Sequence, residues 1–316
     1  MTCRELAMKR LNIALLIMFM LTACSSPKNI TQTTIPETQT TVPISTAISL
    51  PATKTHTPLP VYTSTATITS TSAPLPTEII DAKGVTMVLV PAGMFIMGDS
   101  LGSPYPFSYD YELDGFYMDM FEVTNALYKE CADANVCTEP HGGTSHYQDL
   151  AYSNHPVVLV DWYQAKEYCE WRGARLPTWA EWEKAARGTD GRAYPWGDDA
   201  INCGYANYSG RDANGELISC VGDTSEVGIH SLGVSPYGVH DMAGNVWEWV
   251  STKAGFPLPY DENDGRENLA SPEDRSVRGG GWQRGNYRSG NYGRSGAPDE
   301  YSNDRGFRCA RDAATP

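Results

Sequence analysis

Two carboxylates flank a glycine turn in the second half of the chain, and their spacing could serve a hard cation. The segment begins at Asp241, passes through Gly244 and Val246, and ends at Glu248. Calcium takes about six to eight oxygen ligands, and a sharp turn can present backbone carbonyls to it beside carboxylates. The same pattern also suits an ordinary turn between strands, so the residues alone leave a calcium site and a structural turn open.

Thiol chemistry is a second possibility, because the chain contains eight cysteines. Two of them belong to the N-terminal segment, and the other six form an even set: Cys131, Cys137, Cys169, Cys203, Cys220 and Cys309. An even set in an exported domain predicts disulfides, but the sequence does not choose among the possible pairings. A reactive pair, such as Cys203 and Cys220, is the alternative.

Other common catalytic patterns are missing from the sequence. His141, His146 and His155 lie among small polar residues without the spacing of a zinc site, which predicts loop or surface histidines. The chain contains no GxSxG, P-loop or GxGxxG segment. Because these motifs are absent, the sequence gives no indication of a hydrolase or of a nucleotide-dependent enzyme of the kinds that carry them.

Half of the chain's arginines lie in its last 42 residues, interleaved with aromatic side chains. They are Arg275, Arg278, Arg284, Arg288, Arg294, Arg305, Arg308 and Arg311. Arginines beside aromatic rings can bind anionic or planar ligands. The alternative is that they pair with the acidic residues of the chain and support irregular loops.

The domain that must position these residues follows a targeting segment. Lys9 and Arg10 precede an apolar run, residues 11–21, which is too short to span a membrane and has the order of a secretory signal. The run ends in Leu-Thr-Ala-Cys, which resembles the lipobox of bacterial lipoproteins and implies cleavage after residue 23 and lipidation of Cys24. We therefore expect an exported lipoprotein, residues 1–23 being its signal peptide, that is anchored to the membrane by its lipid and faces the extracellular or periplasmic side.

A Ser/Thr/Pro-rich segment follows the predicted lipidation site. Residues 25–80 contain 16 Thr, 7 Ser and 8 Pro, with few large apolar side chains to offset the entropy of ordering. This composition predicts an extended stalk over residues 24–82. The formal net charge of the chain is −14, which disfavours a nucleic-acid partner.

From residue 83 to residue 316 the composition is that of a folded domain. Residues 85–90 and 94–98 are strand candidates on either side of a Pro-Ala-Gly break. Three helices are predicted: one begins near Thr124, one covers residues 161–171, and one begins at the capping box of Thr178 and Glu181 and ends at Gly188. The remaining residues are typical of short strands, turns and loops.

Segments of this domain resemble the formylglycine-generating enzyme (sulfatase-modifying factor) family, and they occur in the order of that family. They are VPAG (90–93), EVTN (122–125), HPV (155–157), GARLPTWAEWE (173–183), AARG (185–188), YPWG (194–197), DMAGNVWEW (241–249), RGGGW (278–282) and GFRCA (306–310). The resemblance covers about residues 84–312. It implies an α+β, C-type-lectin-like fold with few helices, short antiparallel strands and many loops.

The resemblance also bears on copper. Members that oxidise a sulfatase cysteine to formylglycine bind copper through two cysteines that follow a GGS segment, and thiolates suit Cu(I). The matching positions here are Arg284 and Ser289, and Gly281 stands in place of the serine. A guanidinium keeps a positive charge that repels a copper ion. We therefore expect neither copper nor copper-dependent oxidation.

Calcium and the cysteine pairing are expectations from the same resemblance. The ligands that it implies are Asp241, Gly244 O, Val246 O and Glu248 for one ion, and Asn207, Tyr208 O and Asp223 for a second. It also implies a Cys169–Cys309 disulfide, and proximity in the sequence then favours Cys131–Cys137 and Cys203–Cys220.

The function favoured by these observations is a surface-anchored, non-copper binding or structural module of this family. Its possible ligand groove contains Trp247, Trp282, Arg284 and Arg288, and its ligand would be a protein, a peptide or a glycan. The alternative is a formylglycine-generating oxidase that acts on a sulfatase cysteine through a non-standard site.

Overall fold

The computed structural model describes residues 74–99, 107–142, 145–211, 216–283 and 293–313. All of them belong to one compact unit, residues 68–316. Cys24, Arg284, Arg288 and Ser289 lie outside the described residues, so the roles predicted for them stay predictions. Among the described residues, no helix combines the length and the apolar composition that a membrane span requires.

The described residues contain four α-helices, and local capping explains where three of them begin. The helices are α1 (Asn125–Asp133), α2 (Ser145–Gln148), α3 (Trp162–Trp171) and α4 (Trp179–Arg187) in the described part of the chain. The side chain of Thr124 caps α1, and that of Asp161 caps α3. Thr178 and Glu181 form the predicted capping box of α4, and Gly188 ends that helix with a positive φ. The three predicted helices are therefore confirmed.

The strands of the described residues are short and fall into four small sheets. They are β1 (Glu78–Ile80), β2 (Thr86–Val90), β3 (Gly93–Asp99), β4 (Phe107–Leu113), β5 (Phe116–Asp119), β6 (Ser209–Arg211), β7 (Leu217–Ser219), β8 (Trp247–Lys253), β9 (Arg275–Arg278), β10 (Arg294–Gly296), β11 (Arg305–Phe307) and β12 (Ala310–Asp312). One sheet has the order β1-β2-β5-β12 and another β10-β9-β8-β11, while β3 pairs with β4 and β6 with β7. The strand pairs are antiparallel except for β8 with β11. The α+β, loop-rich architecture expected from the sequence is thus confirmed.

The strand β1 begins before the predicted start of the domain. Its three residues pair with Thr86–Val88 of β2, although they fall in the segment assigned to the stalk. The backbone N–H of Leu89 also donates to the carbonyl of Thr77, and the Tyr117 hydroxyl donates to the carbonyl of Pro76. A three-residue strand between prolines and a turn has too short an alternating pattern to be recognised in a sequence.

The main core lies where α1 and α3 face the sheet that contains β8. Trp162 and Trp249 are fully buried there, and each indole N–H donates to a backbone carbonyl, of Val250 and Val160 respectively. The Cys169–Cys309 disulfide adds a covalent link between α3 and the segment that joins β11 to β12. This core fixes β8, and with it the Trp247–Glu248 end of the predicted calcium segment.

A buried arginine at the end of α3 joins the residue that follows β1 to the last residue of β5. Arg172, at the C-terminus of α3, forms ion pairs of 2.7 Å with both Asp81 and Asp119. All three side chains are nearly inaccessible to solvent. Two carboxylates in this position stabilise the guanidinium, and the Cys309 backbone N–H also donates to Asp119. The first turn after β1 is therefore fixed to α3.

Candidate functional site

The glycine turn predicted to bind calcium is fully buried and has an unusual backbone. Asp241 and Asn245 both adopt positive φ values, of 59° and 56°, and Gly244 has a φ of 91°. A Cβ atom at Gly244 would clash with the backbone oxygen of Asn207. The tight turn thus brings Asp241, the Gly244–Val246 backbone and Asn207 close together.

Glu248 is held by an arginine and a tryptophan. Its two carboxylate oxygens accept hydrogen bonds of 2.7 Å from Nε and Nη2 of Arg308. One of them also accepts 2.8 Å from the indole Nε1 of Trp182 on α4. Because both oxygens are already engaged, Glu248 could bind an ion only by sharing an oxygen with these donors.

Glu122, which the sequence analysis did not place in the site, reaches the same turn. Its Oε2 accepts a hydrogen bond of 2.6 Å from Nδ2 of Asn245, and its Oε1 accepts one of 3.3 Å from the Val246 backbone N–H. Burial, together with the negative charges of Asp241 and Glu248, raises the pKa of Glu122 well above its usual value. The EVTN motif contained this residue, but nothing local indicated its contact across 123 positions.

The charges at the turn do not balance. Three buried carboxylates, those of Glu122, Asp241 and Glu248, surround a single guanidinium, that of Arg308. Burial also raises the pKa of Asp241, because the ionised carboxylate loses its hydration there. With all three carboxylates ionised, the group carries a net charge of about −2, which one divalent cation would neutralise.

The second predicted site contains an amide oxygen without a hydrogen-bond partner. Asn207 is 1% exposed, and its Oδ1 is buried and accepts no hydrogen bond among the described residues. Its Nδ2 donates 2.8 Å to the carbonyl of Asp223 and 3.2 Å to Oδ1 of Asn245. The carbonyl of Tyr208 accepts the backbone N–H of Cys220. An unpaired buried oxygen is costly unless a cation or water binds to it, so Asn207 fits a cation ligand.

A histidine and a tyrosine contact Asp223, and the sequence did not indicate these contacts. The ring of His146 stacks on Tyr152 at 4.0 Å between centroids, and its Nε2 lies 3.3 Å from Oδ2 of Asp223. The Tyr152 hydroxyl donates to the same oxygen, and His155 contacts Thr224. His141 lies apart, against Asp161 and Tyr301.

Ligation by side chains alone is not supported for any of these clusters. Within residues 74–99, 107–142, 145–211, 216–283 and 293–313, no three His, Cys, Asp or Glu side chains are arranged to hold a metal ion. A cation at the turn or at Asn207 would therefore depend on backbone carbonyl and amide oxygens as well. Such mixed oxygen sets are what calcium accepts.

Of the four residues predicted to form a ligand groove, the structure describes Trp247 and Trp282. Trp247 is 3% exposed, and the guanidinium of Arg294 lies 5.1 Å from the centre of its ring. A Cβ at Gly281 would lie 2.9 Å from Cδ1 of Trp247 and 3.0 Å from the backbone oxygen of Asp304. The serine that the family has at this position would therefore require these neighbours to move.

All three predicted disulfides are present. The Cα–Cα distances are 5.3 Å for Cys131–Cys137, 5.6 Å for Cys169–Cys309 and 5.4 Å for Cys203–Cys220. Every cysteine among the described residues is thus paired, and Cys203 and Cys220 are not the reactive thiols considered above.

Most of the C-terminal arginines that the structure describes have structural contacts. Arg275, Arg278 and Arg308 are almost completely buried. Arg275 lies 4.1 Å from the ring centre of Trp162 and donates to the carbonyls of Ser251, Asn268 and Ser271. Arg275 thus supports irregular loops, while Arg308 pairs with Glu248 and Arg278 lies 3.6 Å from Glu183. Arg294, by contrast, is exposed beside Trp247.

A large cavity of about 1010 Å³ lies away from the turn and the groove. Its lining includes the carboxylates of Glu112, Asp114, Glu262 and Glu267, together with Tyr260. None of the residues discussed above as calcium ligands or groove residues contributes to it. Size alone therefore does not identify the site that the sequence motifs indicate.

Comparison with known families gives a match over nearly the whole folded part of the chain. Residues 74–313 match the sulfatase-modifying factor enzyme 1-like domain. The formylglycine-generating enzyme of Mus musculus is 31% identical over 285 residues, which cover 72% of this chain and 75% of that protein. The inactive C-alpha-formylglycine-generating enzyme 2 of Bos taurus is 37% identical over 177 residues, and the match spans 51% of this chain and 52% of that protein.

A solved structure supports the same fold. PvdO from Pseudomonas aeruginosa superimposes with a TM-score of 0.58 at 27% sequence identity. The superposition covers 76% of this chain and 100% of PvdO.

Proposed function

Because the chain belongs to the sulfatase-modifying factor enzyme 1-like family, we propose that it is a member without copper chemistry that serves as a surface-anchored binding or structural module. Membership alone does not decide the activity, since the relatives include one named as a formylglycine-generating enzyme and one named as inactive. The activity depends on which reactive side chains this chain provides.

The observation that carries the proposal is the lack of an available thiolate among the described residues. The positions that match the family's copper cysteines are Arg284 and Ser289. The six described cysteines are all in disulfides, so none of them can replace the missing ligands. Gly281 is also packed too tightly against Trp247 for a serine side chain. Each of these features removes a part of the copper site expected from the resemblance.

The proposal is tested by co-expression with a sulfatase that carries its cysteine motif, in a host without formylglycine-generating activity. We expect the mass of the motif peptide to show unmodified cysteine, as in cells without this chain. A formylglycine-generating enzyme co-expressed in parallel is the positive control. Formylglycine above background would instead support the alternative, an oxidase with a non-standard site.

For the binding role, we propose that the ligand groove contains Trp247 and Trp282, with Arg284 and Arg288 contributed by the adjoining segment. The exposed Arg294 beside Trp247 adds a cation to the described part of this surface. Arginine next to an aromatic ring suits an anionic or planar group on a protein, peptide or glycan ligand.

We also propose a calcium ion at the glycine turn. The excess of buried negative charge at the turn supports this proposal. The residues that would hold it are Asp241 and the carbonyls of Gly244 and Val246, and Glu248 would join by sharing an oxygen with Arg308. Glu122, whose oxygens accept hydrogen bonds from Asn245 and Val246, adds negative charge beside them. Bound calcium would supply two positive charges to a buried group that carries about −2.

A second calcium ion is proposed at Asn207, for which the unpaired Oδ1 is the support. The carbonyl of Tyr208 and the carboxylate of Asp223 would complete the protein ligands. An ion there would use the one polar atom of Asn207 that the protein leaves without a hydrogen bond.

The location proposed for the domain is outside the cytoplasmic membrane, attached through lipid on Cys24. Three disulfides in the described part of the chain suit an oxidising compartment. Cys24 itself and the stalk are proposed on the sequence alone.

A further inference from the structure

Two buried asparagines connect the two proposed calcium sites. Nδ2 of Asn207 donates to Oδ1 of Asn245 at 3.2 Å, and Nδ2 of Asn245 donates to Oε2 of Glu122 at 2.6 Å. Asn207 belongs to the second site through its unpaired Oδ1. Glu122 belongs to the first site through its place beside Asp241 and Val246. A continuous line of hydrogen bonds therefore runs from one site to the other.

The amide of Asn245 has only one orientation that satisfies its neighbours. Its Oδ1 accepts hydrogen bonds from the backbone N–H and the hydroxyl of Ser225, at 2.9 and 3.2 Å, as well as from Asn207. Its Nδ2 donates to Glu122 and, at 3.3 Å, to the carbonyl of Ser225. Rotating this amide by half a turn would place its oxygen against the Glu122 carboxylate and the Ser225 carbonyl, which are both acceptors.

The hydrogen bonds of Asn207 likewise allow only one orientation of its amide. If the Asn207 amide rotated, its oxygen would face Oδ1 of Asn245 and the carbonyl of Asp223, and both are acceptors. The hydrogen bonds hold the Asn207 amino group toward Asn245, so its oxygen remains free for a cation. An ion bound to that oxygen favours this arrangement of Asn207, and through it the arrangement of Asn245 that holds Glu122.

The backbone provides a second connection between the sites. The backbone N–H of Asn245 donates to the carbonyl of Asn207 at 2.8 Å, and Gly244 packs directly against that carbonyl. Gly244 and Val246, whose carbonyls are proposed ligands of the first ion, are the neighbours of Asn245 in the chain. A change in the position of Asn207 would therefore move the ligands of the first site.

We propose that Asn245 is a positioning residue that couples the two calcium sites, so that an ion in either site raises the affinity of the other. The inference rests on the two calcium sites of the proposed function. The hydrogen bonds fix the orientation of both amides, and the first ion removes the remaining motion of Asn207, Asn245 and Glu122, so the second ion binds without that entropic cost.

The test is a calcium titration of the chelator-treated full chain by calorimetry, with the number of bound ions measured by elemental analysis. We expect two ions and a Hill coefficient above 1. The variant Asn245→Gly keeps the positive φ and the backbone hydrogen bonds but removes the amide. It should still bind two ions, with a Hill coefficient of about 1. Asn135→Gly is the matched control, because Asn135 is an exposed asparagine with a φ of 57° outside both sites.

A second variant tests the coupling without altering Asn245. Asp223→Asn weakens the second site, and coupling predicts that the first site then binds calcium about 5-fold or more weakly, although Asp223 is not one of its ligands. This loss should disappear in the Asn245→Gly background. By linkage, Asp241→Asn should weaken the second site by the same factor.

The outcomes separate this inference from the calcium proposal itself. Two independent ions in the wild-type chain, or an unchanged Hill coefficient in Asn245→Gly, would overturn the coupling and leave the calcium sites in place. No bound calcium in the wild-type chain would overturn both. A purely structural role of Asn245 would lower the melting temperature of the variant in chelator without changing the Hill coefficient, and would also overturn the coupling.

Discussion

Gly244 combines two constraints that separate substitutions can distinguish. Its φ of 91° disfavours any side chain, and a Cβ atom there would also lie 2.4 Å from the backbone oxygen of Asn207. Gly238 has a similar φ of 88°, but no atom lies within 4 Å of the place that its Cβ would take. The two glycines therefore share the backbone strain and differ in the close contact.

We expect Gly244→Ala to lower the free energy of unfolding by more than Gly238→Ala. The positive φ alone accounts for about 1–3 kcal/mol in each variant, and the clash with Asn207 adds to it only in Gly244→Ala. Urea denaturation in the presence of chelator measures both values without calcium. Equal losses in the two variants would show that the Asn207 contact contributes nothing.

His230 gives the stability of the domain a pH dependence. Burial lowers the pKa of His230 below its usual value of about 6.5, and its buried Nε2 has no hydrogen-bond partner among the described residues. Between the lowered pKa and 6.5, the unfolded chain binds a proton that the folded chain does not, so stability falls as the pH falls through this window.

We therefore expect a decrease in melting temperature from pH 7.5 to pH 5.5 that is smaller in His230→Gln than in the wild-type chain. Calorimetric scans at the two pH values measure the difference, because other titrating groups contribute equally to both proteins. An identical decrease in the two proteins would contradict the assignment.

At the scale of elements, the start of α4 depends on a reciprocal cap. The Thr178 hydroxyl accepts the backbone N–H of Glu181, and Glu181 accepts the backbone N–H of Thr178. Glu181 also forms an ion pair with Arg175 that involves both carboxylate oxygens. The first turn of α4 in turn positions Trp182, which donates to Glu248 beside the glycine turn.

We expect Thr178→Ala to lower the free energy of unfolding by about 1 kcal/mol, the usual cost of losing an N-cap oxygen. Thr178→Ser retains that oxygen and should lose only a few tenths of this amount. Urea denaturation of the three proteins measures the difference, and equal losses for Ala and Ser would exclude the cap as the cause.

Helices and disulfides could be predicted from the sequence because their determinants are local or carried by motifs. Thr124, Asp161 and Thr178 lie next to the helices that they cap. By contrast, β5 pairs with β12 at the other end of the domain, and β1 is only three residues long. Such pairings are determined by tertiary packing, which leaves no local pattern.

The candidate site shows the same difference between features set by local sequence and features set by tertiary packing. The motif of Asp241 and Glu248 was visible in the sequence, whereas the contacts of Glu122 with Asn245 and of Arg308 with Glu248 join residues 123 and 60 positions apart. The unpaired oxygen of Asn207 could not be predicted either, because it depends on where all neighbouring donors lie. Residue types were predictable at the site, but their partners were not.

At the scale of the whole molecule, we expect chelation of calcium to lower the melting temperature. A ligand present at about 100 times its Kd stabilises the folded state by about 2.7 kcal/mol. For a domain of this size, that corresponds to a shift of roughly 5–10 °C.

Thermal scans with calcium and with EDTA measure this shift. Asp241→Asn should reduce it, because the first site loses a carboxylate, while Asp274→Asn is a control outside both sites. An unchanged melting curve with EDTA, together with no calcium by elemental analysis, would contradict both proposed sites.

If the domain is anchored through Cys24, as proposed, the placement of β1 has a mechanical consequence. Tension transmitted along the chain would first reach the hydrogen-bonded carbonyls of Pro76 and Thr77, and then β1, an edge strand with three residue pairs to β2. The next point of resistance is Asp81, whose carboxylate is buried against Arg172. Arg172 lies three positions after Cys169, which is covalently joined to Cys309. A pulling force would therefore release β1 before it loads the buried Asp81–Arg172 ion pair, which connects the start of the domain to α3 and, through Cys169, to the C-terminal segment.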